Sequence, residues 1–152
     1  MRNVILLVMA CMASCKAQKE VNTEFQSDSN LILVAEDGYS GIMEYEASTI
    51  RDAKSLNKFY SRINRTRKPG LPVPQIDFSK EMVIVVCMGE QEGNMIPIIR
   101  KSSEDENHIS YLVGRGTKTK ANSESQNVTS YPFYIYKAPR SPKEIELEKT
   151  NW

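Results

Sequence analysis

Apolar positions along this chain come in short runs separated by polar or proline-rich stretches. The densest run is MVIVVCM, Met82 to Met88, which contains no charged side chain. A run apolar at every position predicts a strand buried on both faces, the central strand of a sheet with a helix covering one side. The segment DAKSLNKFYSRIN supplies that helix. Leu56, Phe59, Tyr60 and Ile63 fall at i, i+3, i+4 and i+7, a single apolar stripe. Asp52 is placed to cap the N-terminus, and Arg62 and Arg65 lie where cations suit the C-terminal end of the dipole. The predicted helix spans residues 52–65.

Other segments alternate with period two. LILVAE opens the domain as a strand, and SGIMEYEA alternates after the Asp37-Gly38 turn signal, so the two are candidates for a hairpin. MIPIIRKSS reads as a strand that Pro97 pushes to an edge or a bulge. HISYLVGR places Ile109, Tyr111 and Val113 on one face. SYPFYIYK places Phe133 and Ile135 opposite Tyr134 and Tyr136. KEIELEK is a last strand with Ile145 and Leu147 on one face. RTRKPGLPVPQ breaks all periodicity, since Pro69, Pro72 and Pro74 impose an extended linker. The cations at its start read as a solvated helix end. GTKTKANSESQN is a long polar loop. The expected fold is α+β: a mainly antiparallel sheet of about seven strands with one packed helix.

The N-terminus reads differently from the rest. MRNVILLVMACMASC has one early cation, Arg2, an apolar stretch from Val4 to Ala13, and then small residues. The stretch is shorter than the roughly 18–20 residues of a membrane span, which makes it a secretory signal. Met12-Ala13-Ser14-Cys15 resembles a bacterial lipobox, with Cys15 as the lipid attachment site. The expected organisation is a signal peptide over 1–14, a polar tether over 15–30 and a single domain over 31–152. The implied location is the bacterial cell envelope, anchored by lipid to a membrane, the outer one by preference.

Charge narrows the functional classes. The 152 residues carry 20 Lys+Arg against 19 Asp+Glu. This balance speaks against nucleic-acid binding, which favours a basic surplus. With Cys15 acylated, Cys87 is the one free thiol of the domain and no internal disulfide can form. Cys87 and His108 are the only cysteine–histidine pair in the domain, but Cys87 sits in an apolar strand and an acidic turn follows it. Both features oppose a thiolate, so no catalytic residue is assigned. One His and one free Cys make no zinc set, and the acidic run Glu104 to Glu106 reads as a solvated turn. No metal or cofactor is expected. Tyr134 and Tyr136 are candidates for a partner surface, because aromatics favour interfaces; the alternative is that they cover the second face of the sheet.

Two stretches resemble the protease complex subunit PrcB family. The first is Pro74-Gln75-Ile76-Asp77-Phe78-Ser79 leading into the strand Met82 to Val86 and on to Gly89. The second is Thr129-Ser130-Tyr131-Pro132-Phe133 leading into a strand. The helix carrying Leu56, Phe59 and Tyr60 sits where that family has one, and the likeness covers about residues 31–149. The family's Gly-Tyr hairpin motif has no tyrosine here, since that region reads GEQEGNMIPII. The resemblance implies a non-catalytic envelope lipoprotein that binds and stabilises a partner, by analogy an extracytoplasmic protease complex. The alternative is a small-ligand-binding lipoprotein with a pocket beneath the 114–127 loop.

Overall fold

In the computed structural model, residues 27–92, 96–116 and 129–150 are described. The signal peptide, Cys15 and most of the 15–30 tether lie outside them, as does most of the 114–127 loop.

Asp52 starts the helix. Its carboxylate accepts a hydrogen bond from the Ser55 backbone N–H at 2.8 Å and another from the Ser55 hydroxyl, so it caps α1 (Ala53–Ile63). Leu56, Phe59, Tyr60 and Ile63 are all buried, as their spacing predicts. Each contributes roughly 1.5–3 kcal/mol by leaving water.

The stripe packs on a four-stranded antiparallel sheet in the order β1-β8-β3-β2. Its strands are β1 (Ile32–Asp37), β2 (Glu46–Ile50), β3 (Glu81–Cys87) and β8 (Phe133–Pro139). Side-chain parity divides β3 between two cores. Val83, Val85 and Cys87 face the helix with Phe133 and Ile135 of β8. Met82, Ile84, Val86 and Met88 face the other way with Tyr134, Tyr136 and Ala138.

That second face is covered by another sheet, in the order β5-β6-β9, built from β5 (Pro97–Glu104), β6 (His108–Arg115) and β9 (Glu144–Lys149). Ile99, Ile109, Tyr111 and Val113 project from it into the shared core. Pro97 opens the edge strand β5, where its missing N–H is tolerated. A short ribbon pairs β4 (Gln91–Glu92) with β7 (Thr129–Ser130). The molecule is therefore layered helix, sheet, sheet.

Four expectations change. The α+β class with mostly antiparallel pairing stands, but the strands form three sheets rather than one of about seven. β9 also runs parallel to β6. The first two strands are no hairpin: β1 pairs with β8, and β2 pairs with β3. Much of SGIMEYEA lies outside the strand, which begins at Glu46. Tyr134 and Tyr136 are each only 4% exposed and form no partner surface. Their strand lies between β1 and β3, and a second sheet takes the face they occupy. The Tyr136 hydroxyl donates to the Pro97 carbonyl at 3.3 Å, which is how its polar end is accommodated in the core.

Candidate partner-binding groove

β1 is an edge strand of the four-stranded sheet among the described residues. Ile32 is 56% exposed and Leu33 40%. The chain reaches this edge from the other sheet: the Asp28 N–H donates to the Ile99 carbonyl at 2.8 Å, and buried Leu31 leads into β1. Pairing with β8 slips between Leu33 and Ala35, a bulge at Val34. Val34 and Ala35 pack towards the helix side.

Facing β1 across a gap runs the proline-rich linker. Asn64, the C-cap of α1, fixes it in place. Its side chain accepts from the Leu71 N–H at 2.7 Å and donates to the Leu71 carbonyl at 2.9 Å. Beyond Leu71, Pro72 and Pro74 have no N–H to offer, so the linker cannot zip onto β1 as a fifth strand. Between the two walls lies a groove of 380 Å³ floored by Tyr60 and Phe133. Phe133 meets Phe59 edge-to-face at 5.8 Å between ring centroids, which ties the floor to the helix. Burial pushes the Tyr60 hydroxyl up to about 12, so the floor carries no charge.

Charge sits at one end of the strand. Arg67 forms an ion pair with Asp37, donates to the Tyr39 carbonyl and lies 5.9 Å from the Tyr39 ring centroid. It clamps the last residue of β1 to the chain beyond the helix. Arg62 pairs with Glu46 at 2.8 Å. Arg62 and Arg67 are thus committed to structural partners.

The remaining candidates are not brought together. Cys87 is 0% exposed on the helix side of β3. Burial, and then the charge of Glu46, push its thiol up to about 12. His108 opens β6 in the other sheet, on the face away from the core, near Asp105 and Glu144. The inter-sheet core separates the two. The stretch leading into β3 has a local role: Asp77 accepts from the Ser79 N–H at 3.1 Å and from its hydroxyl, and its carbonyl accepts from the Lys80 and Glu81 N–H groups. This turn starts the central strand. Gly89 ends it at φ +72, where an added Cβ would lie 2.8 Å from the Met43 carbonyl oxygen.

The first run is a strand, as its pattern predicts, but its partner is β8 and not its neighbour in sequence. The groove is visible only once β1 is seen to pair with β8, far along the chain. No family model, curated protein or solved structure matches this chain.

Proposed function

We propose that this chain is a non-catalytic, lipid-anchored accessory subunit of the bacterial envelope that binds and stabilises a partner assembly. An extended segment of that partner would dock along the edge of β1. The observation that carries this reading is the edge strand beside an apolar groove whose opposite wall has no competing N–H at Pro72 and Pro74. Strand addition draws affinity from main-chain pairing and selectivity from side-chain pockets. The bulge at Val34 and the acids Glu36 and Asp37 discourage indiscriminate pairing of β1 with other copies of itself. The resemblance to the PrcB family supports an extracytoplasmic protease complex as the partner, and the lipobox-like segment ending at Cys15 supports anchoring at the outer membrane.

The test is capture of partners from envelope extracts by the lipidated full chain, beside a variant carrying Ile32→Lys and Val73→Glu. Both positions are exposed. The variant should fold normally and lose most of the captured partner. Equal recovery by both proteins would remove the groove from the mechanism. Failure to recover any reproducible partner would remove the accessory role.

The groove volume of 380 Å³ also lies in the range of small-molecule sites, which supports a small-ligand-binding lipoprotein as the second reading. A thermal-shift screen of apolar envelope metabolites separates the two: stabilisation abolished by Val73→Glu favours the ligand.

A further inference from the structure

A second cavity, of 640 Å³, lies where three chain segments meet: Arg51 just past β2, Ser79 and Lys80 just before β3, and Arg140, Ser141 and Pro142 just past β8. Its arginines are held by backbone. Arg51 donates through both terminal nitrogens to the carbonyls of Ser141 and Lys143. Arg140 donates to the carbonyls of Phe78 and Arg51, and its own N–H donates to the Lys80 carbonyl at 2.7 Å.

Carbonyl groups orient a guanidinium but carry only partial charge. Neither arginine forms an ion pair with a carboxylate among the described residues. Lys80 adds a third cation. Its side chain is 81% exposed and its ammonium lies 3.7 Å from Asp77, a weak surface contact that it can leave. The acids on the flanking turns offset this charge in part. Asp52 and Asp77 are engaged as caps by Ser55 and Ser79. Ser141 accepts the Lys143 N–H at its Oγ, which leaves its hydroxyl proton able to donate into the cavity.

We propose that this cavity binds a phosphate-type oxyanion, either free or as the headgroup of an ester. Ordering long cationic side chains is a main cost of anion binding, and here the fold has already fixed two of the three. Two of the five N–H groups of each guanidinium donate to carbonyls, and the others are left to donate to an oxyanion. The cavity is larger than a bare oxyanion requires, which leaves room for an ester substituent. This site is separate from the β1 groove and does not depend on it.

The test is titration of the isotope-labelled full chain, followed by the backbone amide signals of Ser79, Lys80 and Ser141. One arm adds inorganic phosphate, another adds monomeric short-chain phosphatidylglycerol, and chloride at matched ionic strength is the control. Saturable shifts with phosphate or with the lipid, absent with chloride, are expected. Tighter binding of the lipid identifies a headgroup site, and equal or tighter binding of phosphate identifies a free-anion site. Lys80→Ala should weaken binding about tenfold and Lys80→Arg should restore it. Lys80 is exposed, so neither change threatens the fold. Absence of saturable shifts with both probes, or binding indifferent to Lys80→Ala, overturns the proposal.

Discussion

The two edges of the four-stranded sheet are built to opposite ends. At one edge, β2 is half-buried from Glu46 to Thr49 and buried at Ile50, and it comes against β9 of the second sheet. At the other edge, β1 exposes Ile32 and Leu33 and opens on a groove. The closed edge is locked from several directions: Arg51 holds the segment leading into β9, and the Gly89 turn presses on the chain leading into β2. Beyond its pairing with β8, the open edge is tied at its two ends, by Asp28 on Ile99 before the strand and by Arg67 on Asp37 at its close, and its facing wall is anchored at a distance by Asn64. Strand edges that serve only the fold are normally paired or covered. Of the two edges of this sheet, β1 is therefore the one left open.

The largest effect should come from substituting matching isoleucines on the two edges. Ile50, buried at the end of β2, packs into the helix-side core. Ile50→Ala should cost about 2–5 kcal/mol in urea unfolding. Ile32→Ala on the exposed edge should cost less than about 0.5 kcal/mol. Similar losses at both positions would erase the distinction between a closed and an open edge.

Next in size is Gly89→Ala. The residue combines φ +72 with backbone atoms of Met43 and Tyr45 within 2.9 Å of where a Cβ would sit. Those atoms cannot swing aside as a side chain could. The expected loss is about 1–3 kcal/mol, read as a lower urea midpoint with unchanged slope. A neutral outcome would mean that the approach to β2 is loosely held.

The local features behind these forecasts were readable in the sequence, but their pairing was not. The helical stripe from Leu56 to Ile63, the two-faced run into Cys87 and the alternation of β6 each depend on neighbouring residues, and each is where periodicity puts it. Strand partners depend on residues far away. Nothing local distinguishes a β1 that pairs with β2 from one that pairs with β8, about a hundred residues later. The tyrosines show the same limit. Alternation correctly assigned Tyr134 and Tyr136 to one face, but only the second sheet decides that this face is interior. The groove was legible in part: the prolines announce a wall that cannot pair, and the identity of the opposite wall follows from topology.

Thr49 offers a gain rather than a loss. It stands opposite Ile84 on β2, and its Oγ1 is buried with no hydrogen-bond partner among the described residues. An unmet buried hydroxyl costs roughly 1–3 kcal/mol, and valine keeps the shape and the strand preference. Thr49→Val should therefore raise stability by about 1 kcal/mol. A loss of stability would mean that the hydroxyl has a partner, and that the closed edge admits water.

The smallest effect at neutral pH belongs to Glu104, at the end of β5. Lys143 and Lys101 donate to its carboxylate at 2.6 and 2.9 Å, and Lys143 belongs to the same segment that Arg51 holds beside β2. These two ammonium groups, Lys143 first, bring the Glu104 carboxyl down from 4.5 to about 2. A carboxylate held low in the folded state stabilises it fully above the unfolded value and loses that contribution as pH falls. For Glu104 the window runs from about pH 4.5 down to about 2. Glu81, lowered chiefly by Lys137, and Asp77, lowered chiefly by Ser79, act in the same direction. Glu104→Gln should therefore make the acid limb of the stability curve shallower without abolishing it, and should leave stability near neutrality almost unchanged, as expected for an exposed ion pair. High salt should shrink the difference between the two proteins. If the acid limbs of wild type and variant superimpose, the Glu104–Lys143 contact makes no contribution in solution, and the closed edge rests on Arg51 and the packing around Gly89 alone.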